Sequence, residues 1–416
     1  MKTVHILGAG LGGLVAAINL ARAGYDVLVI ESAKGIGGIR GFHPSLHVTP
    51  MDLDFVNAYT GLDIAGNVKK LDQPLRVGLW EDEYLFGKNR LPMKTPLYGV
   101  ERGTKETSMD YFLYSRAKAL GVKFLFSTFI KKAGDLPPGS IIATGLHPEM
   151  YKDLEIPHRK IEGFSFCVQA DKENEKDIHV CMGDFATDYY YSVAFNGLYY
   201  GLLFQRNPME YKCLVELEKM LSSKAEKVHK WVPFTCCGPT KSFRQPQLFR
   251  KGKIMGGSMA GVGDPVLCFG IHGALLSGQT AALAVMDPQK ARQEFSLLTH
   301  YYRRAWIIAQ ISNQVPTKTR RRVYRFVRYR VPGLLARYGY YLHPFTDMVD
   351  KGIPGYWKGY FSPYIVPHEK EKKRAALFDK ALEAIARLCP GKNAAEELEA
   401  LKKRYITQNA KHLETI

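Results

Sequence analysis

An α/β fold built on a Rossmann-like dinucleotide-binding domain is predicted by three features of this 416-residue chain. An apolar run from Thr3 to Leu7 feeds the turn Gly8-Ala9-Gly10-Leu11-Gly12-Gly13; a small-residue helix then leads to a second apolar run; that run ends at Glu31. Gly8 closes the turn after the strand, Gly10 lets the backbone approach a pyrophosphate, and Gly13 lets the helix pack on the strand. Leu11 and Gly12 open a helix whose amino-terminal N–H groups form an anion site. Glu31, about 20 residues beyond the glycines, accepts from ribose hydroxyls and repels a 2′-phosphate. The ligand expected of this unit alone is FAD or NAD, not NADP.

A second glycine turn follows at Gly37-Gly38-Ile39-Arg40. Gly38 is expected beside the cofactor, and Arg40 either pairs with a phosphate or stands as an exposed loop cation. Short alternating runs between 55 and 100 predict antiparallel strands inserted into the first domain. Arg102, just before the next helix, either contacts the cofactor or lies on the surface. Ser108 to Leu120 reads as an amphipathic helix and Lys123 to Phe129 as a strand that returns the chain to the parallel sheet. Ser140 to Ala143 predicts a short buried strand, and its end, Thr144-Gly145, falls where open α/β sheets bind ligands.

From Lys160 to Phe204 the pattern turns β-rich, and a helix is expected from Glu210 to Ser223. Tyr191, Phe195 and Tyr199 are candidates to line an apolar substrate cavity, with core filling as the alternative. No pattern fixes a catalytic group; Tyr191, His43 and His272 qualify only by polarity. A strand from Lys253 to Met255 then leads into Gly256-Gly257-Ser258, a loop to Pro265, Gly270-Ile271 and a small-residue helix from Gly273 to Met286. This is again a helix start suited to phosphate and flavin.

The second motif resembles the carboxyl-terminal FAD motif of the geranylgeranyl reductase family of FAD-dependent oxidoreductases, GDAAGxxxPxxGxGIxxAxxSGxxAA. Gly257, Ala260, Gly261, Pro265, Gly270, Ile271, Ala274, Ser277, Gly278, Ala281 and Ala282 fall in register, while Ser258 stands where the family has aspartate. Tyr191, Phe195 and Gly197 approximate the family's YxWxFPKG-like segment without its Trp, Pro and Lys. The resemblance implies FAD as cofactor and hydride transfer at flavin N5, reducing or desaturating a carbon–carbon double bond of an apolar isoprenoid or lipid-like substrate. It leaves the electron donor as NAD(P)H or a redox protein. The broader aromatic-hydroxylase-like flavoprotein superfamily shares the fold, so a flavin-dependent monooxygenase or halogenase is the alternative. A non-catalytic flavin-binding, membrane-associated protein is a third reading.

The resulting architecture is a discontinuous FAD-binding domain at 1–55, 98–150 and 250–290. An antiparallel β substrate domain at 56–97 and 151–249 is inserted, and a helical basic region occupies 291–416. The net charge of +18 favours anionic partners. Within 318–341, Val323, Phe326, Val327, Val331 and Leu334 form an apolar stripe, while Arg321, Arg325 and Arg328 share another face. Such a helix suits an anionic membrane surface, with an ordinary solvated helix as the alternative. Nucleic acid is not expected, because no recognised module accompanies the charge.

Seven cysteines without CxxC or His spacing predict reduced thiols and no metal site. No apolar run reaches the roughly 18 residues of a spanning helix, and the chain opens on a strand without a signal sequence. These features predict a cytoplasmic protein with peripheral membrane contact.

Overall fold

The computed structural model describes residues 3–38, 43–73, 75–79, 82–86, 96–172, 178–183, 189–205, 211–223, 230–239, 246–263, 269–299, 302, 319, 321–322, 340–342, 365–367 and 394–413. The first half of the chain runs β1 (Val4–Leu7), α1 (Leu11–Arg22), β2 (Val27–Ile30), β3 (Ser45–Pro50), α2 (Leu53–Thr60), β4 (Lys69–Lys70), β5 (Leu75–Leu79), β6 (Asp82–Phe86), β7 (Leu97–Arg102), α3 (Met109–Ala119), β8 (Lys123–Leu125), β9 (Ile141–Ile142) and α4 (Pro148–Asp153). The second half runs β10 (His158–Gln169), β11 (Ile178–Met182), β12 (Tyr189–Phe195), β13 (Leu198–Gln205), α5 (Tyr211–Ser223), β14 (Val232–Pro239), β15 (Phe249–Arg250), β16 (Lys253–Met255), α6 (Ile271–Met286), α7 (Pro288–Leu298), β17 (Tyr340–Leu342), β18 (Ile365–Pro367) and α8 (Ala394–Leu413).

The nucleotide-binding part is a six-stranded sheet ordered β15-β16-β9-β1-β2-β8, parallel except for the edge strand β15. Its central strands are short and apolar because both faces are covered. Helix α1 covers one face through Leu14, Val15, Ile18 and Leu20, all fully buried. Each such side chain contributes about 1.5–3 kcal/mol relative to exposure. This α/β architecture is the predicted one.

A seven-stranded sheet ordered β14-β10-β13-β12-β11-β5-β6 stands beside it, antiparallel except where β11 runs parallel to β5. Pro233 and Pro239 lie in β14, an edge strand, where a missing N–H breaks no ladder. Strands β12 and β13 are joined by Asn196-Gly197, whose φ values of 53° and 70° suit a two-residue hairpin turn. The turn fixes the register Phe195↔Leu198, Val193↔Tyr200 and Tyr191↔Leu202.

A three-stranded sheet, β3-β7-β4, packs against this hairpin. It leads into α2, an element that the sequence pattern did not single out. The Asp52 side chain caps α2 by accepting from the Phe55 N–H at 3.2 Å, and Gly61 at φ 65° ends it.

The C-terminal helix α8 docks on α2 and α7. Buried Glu294 of α7 accepts from Tyr59, Tyr405 and Arg404 at 3.0 Å each. Among the described residues no helix is long and apolar enough to cross a membrane. Of the basic segment 318–341, Arg325 and Arg328 lie outside the described residues. Tyr340 and Tyr341 belong to a strand, so the expected helix does not extend to them.

Candidate dinucleotide site

Three glycine turns converge at the carboxyl ends of β1, β9 and β16. Gly8 has φ 105°, and a Cβ there would overlap the Ala143 carbonyl oxygen at the end of β9. A Cβ on Gly13 would strike the Gly8 carbonyl oxygen, so glycine there is what seats α1 on β1. Across the fold, a Cβ on Gly12 would lie 2.8 Å from the Gly257 nitrogen, and one on Gly278 would lie 2.5 Å from the Gly12 carbonyl oxygen. The two motifs, far apart in sequence, are therefore in backbone contact. Ser277 secures the second by accepting from the Gly257 N–H at 2.9 Å.

Gly10 differs from these packing glycines. It precedes α1 in an extended conformation (φ −80°, ψ 179°), and among the described residues no side chain caps the helix there and a Cβ would meet no atom within 4 Å. The first turn of α1 carries no acidic residue, and Leu11 and Gly12 open it. Its free N–H groups and positive dipole end suit an anion. Among the described residues, Gly145, Gly257 and Gly270 also meet no atom at the Cβ position, and Gly270 precedes Ile271 at the start of α6.

Glu31 follows β2 and is held against the first turn. One carboxylate oxygen accepts from the Ala9 N–H at 2.8 Å, and the other from the Ala33 N–H at 2.9 Å and the Ser32 hydroxyl at 3.1 Å. The Thr144 hydroxyl at the end of β9 is buried and has no hydrogen-bond partner among the described residues. An orphaned hydroxyl costs about 1–3 kcal/mol unless a ligand or water completes it. Open glycines, a bare helix start, a fixed carboxylate and an orphaned hydroxyl together fit a dinucleotide. Glu31→Gln is expected to weaken FAD binding by about tenfold, because its amide would face the Ala33 donor; fluorescence titration checks this.

Other expected site residues are placed less simply. Ser258 presents its carbonyl oxygen to the Tyr151 hydroxyl at 3.3 Å, joining α4 to the second motif. Arg102 is neither a free cation nor a surface one: its Nε and Nη2 form a bidentate pair with the fully buried Asp110 at 2.7 and 2.8 Å. Arg40 and Pro265 lie outside the described residues.

Gly38, at φ 81°, packs against the ring of His43. His43 and His47 flank Ser45 on β3, a cluster that sequence pattern alone did not assemble. Burial first, then the Arg102 guanidinium, lowers both imidazole pKa values, that of His47 to about 3.

Two expectations are corrected. Tyr191, Phe195 and Tyr200 share one face of the seven-stranded sheet and pack there with Leu46 and Val48 of β3, whereas Tyr199 lies on the opposite face against Phe166. Tyr199 therefore does not line the same cavity wall. His272 is buried, 2% exposed, and among the described residues neither ring nitrogen is hydrogen-bonded, so its ring is not exposed as a catalytic group would be. The Tyr191 hydroxyl is engaged too, donating to the Leu46 carbonyl at 3.2 Å. Burial pushes Cys237 up to about 12, so that thiol is not poised to react.

Comparison with known proteins supports this architecture. Residues 6–42 match the NAD(P)-binding Rossmann-like domain family. A putative flavin-containing monooxygenase of Arabidopsis thaliana is 41% identical over 51 residues, 12% of this chain and 11% of that protein. Hydroxysqualene dehydroxylase of Rhodopseudomonas palustris is 60% identical over 37 residues, 9% of each. The chain thus spans about a tenth of the length of the curated relatives it matches.

Among solved structures, 2-methyl-3-hydroxypyridine-5-carboxylic acid oxygenase superposes with a TM-score of 0.54 at 14% identity, covering 76% of this chain and 92% of that one. A probable FAD-dependent monooxygenase from Pseudomonas aeruginosa gives 0.52 at 13% identity, covering 74% and 94%. CtdE, solved in complex with FAD, gives 0.50 at 13% identity, covering 75% and 93%. The fold is that of these proteins, in agreement with the predicted fold class.

Proposed function

We propose that the chain is an FAD-dependent oxidoreductase acting on a carbon–carbon double bond of an apolar, isoprenoid or lipid-like substrate. The observation that carries the cofactor assignment is the backbone meeting of the Gly8, Thr144 and Gly257 turns around an open helix start. In this reading Gly10, Leu11 and Gly12 bind the pyrophosphate, and Glu31 holds the adenosine ribose. Gly38, Arg40, Arg102, Thr144, Gly145, Gly257, Ser258, Pro265, Gly270 and Ile271 complete the cofactor contacts. When bound, FAD supplies two-electron transfer as hydride at N5.

Support for an apolar substrate comes from the apolar cluster in which Tyr191 and Phe195 of the seven-stranded sheet meet Leu46 and Val48 of β3. The basic segment 318–341, through Arg321, Arg325 and Arg328, would hold the protein at an anionic membrane where such substrates reside. NAD(P)H or a redox protein would supply electrons.

A monooxygenase reading is favoured by one specific observation, the fold shared with an oxygenase and a probable FAD-dependent monooxygenase. The two readings separate when purified, flavin-loaded protein is reduced without oxygen and then offered either a polyprenyl lipid or oxygen. Reoxidation by the lipid, with loss of a double bond, is expected. Reoxidation only by oxygen, with a hydroxylated product, supports the monooxygenase instead.

A further inference from the structure

Ser45 is fully buried on β3 and joins two imidazoles: its Oγ lies 2.5 Å from His43 Nδ1 and 2.8 Å from His47 Nε2. The two rings are 6.0 Å apart. At one end His43 packs on Gly38, in the turn that follows Glu31. At the other end the His47 ring lies 6.3 Å from that of Tyr200. The chain of three thus spans from the glycine turn toward the seven-stranded sheet.

We propose that His43, Ser45 and His47 form a proton relay between the Gly37–Gly38 turn and the interior beside Tyr200, an inference that rests on the FAD reading of that turn. A hydride added to one carbon of a double bond must be matched by a proton at the other, and the relay would move that proton. The groups facing it are Arg102 from β7, Asp110 from α3 and Tyr200 from β13. Glu101, next to Arg102, belongs to the other face of β7 by strand alternation. With Arg102 alongside and the imidazoles held neutral, a relay through an imidazolium is disfavoured.

A neutral relay needs none. When the His47 Nε2–H donates to Ser45 and the Ser45 hydroxyl donates to His43 Nδ1, both rings are Nε2–H tautomers. A proton arriving at His47 Nδ1 drives the Nε2 proton onto Ser45, the Ser45 proton onto His43 Nδ1, and the His43 Nε2 proton out. Each ring ends as the Nδ1–H tautomer, one proton has entered and one has left, and no charge has been buried. The opposite polarity works in reverse. Either way the two rings must carry the same tautomer.

Ring-nitrogen NMR of the full chain labelled with 15N-histidine tests this with or without bound cofactor. Matched neutral tautomers at His43 and His47 are expected, with Ser45→Ala shifting both ring signals and Ser45→Thr restoring them. In flavin-loaded protein Ser45→Ala is expected to slow turnover about 100-fold with flavin content unchanged, Ser45→Thr again restoring it. Opposite tautomers, or a Ser45→Ala spectrum with both rings unmoved, would overturn the relay. A chain that takes up no flavin would instead overturn the cofactor reading, leaving the ring spectra to report on the hydrogen-bonded chain.

Discussion

Gly278→Val is expected to destabilise the nucleotide-binding part by about 3 kcal/mol, while Gly10→Ser is expected to leave it stable and weaken ligand binding. A side chain at Gly278 would press on the Gly12 carbonyl oxygen and come 2.9 Å from Val15 Cβ. These are backbone and core atoms with nowhere to move, so α1 and α6 must separate. Valine gains little in helix propensity over glycine, well under 1 kcal/mol, whereas overpacking of this kind costs about 3 kcal/mol.

Gly10 is the opposite case, with no atom of the described residues within 4 Å of the Cβ position and a backbone that serine adopts without strain. A serine hydroxyl would cap the helix and raise stability by up to about 1 kcal/mol. It would also occupy the N–H groups meant for phosphate, and a loss of more than tenfold in FAD affinity is expected. Denaturant unfolding of the cofactor-free protein, alongside FAD titration, measures both effects.

Acid lability is the second large expected effect. His272 is buried in α6, and burial first, then the Lys402 ammonium, lowers its pKa from 6.5 to about 3. The folded protein therefore holds the neutral ring, whereas the unfolded chain protonates it below pH 6.5. The associated stability is fully present above pH 6.5 and is lost as the pH falls toward about 3, at roughly 1.4 kcal/mol per pH unit. The total is on the order of 5 kcal/mol, a large part of a typical domain's stability.

His43 and His47 act in the same direction. Because neither nitrogen of His272 has a partner among the described residues, His272→Leu is expected to be neutral or stabilising at pH 7. It should also remove one proton from the pH dependence between 6.5 and 3. Urea midpoints across that range give the slope directly.

What the sequence revealed follows from how local each signal is. The β1-α1-β2 unit was legible because its glycines, helix and terminal acid sit within one short span, and each answers a steric or electrostatic need. The second motif was legible from its own spacing. Its contact with the first, through Gly12, Gly257 and Gly278, required the fold.

The face on which Tyr199 lies is set by a local signal. Asn196-Gly197 demands a two-residue hairpin, which pairs Phe195 with Leu198 and so sets Tyr200, not Tyr199, on the face of Tyr191. Helix α2 likewise carried its Asp52 cap and its terminal Gly61. By contrast, the parallel pairing of β5 with β11 joins Leu75 to Ile178, and nothing local announces it. The Arg102–Asp110 pair and the His43–Ser45–His47 chain depend in the same way on strand register and helix placement.

The central claim is that the three glycine turns hold FAD. Purified protein is expected to be yellow and, on heat denaturation, to release a flavin whose mass is that of FAD; cofactor-free protein is expected to recover the colour on mixing with FAD. A colourless protein whose spectrum and thermal stability do not change when FAD is added would contradict the account.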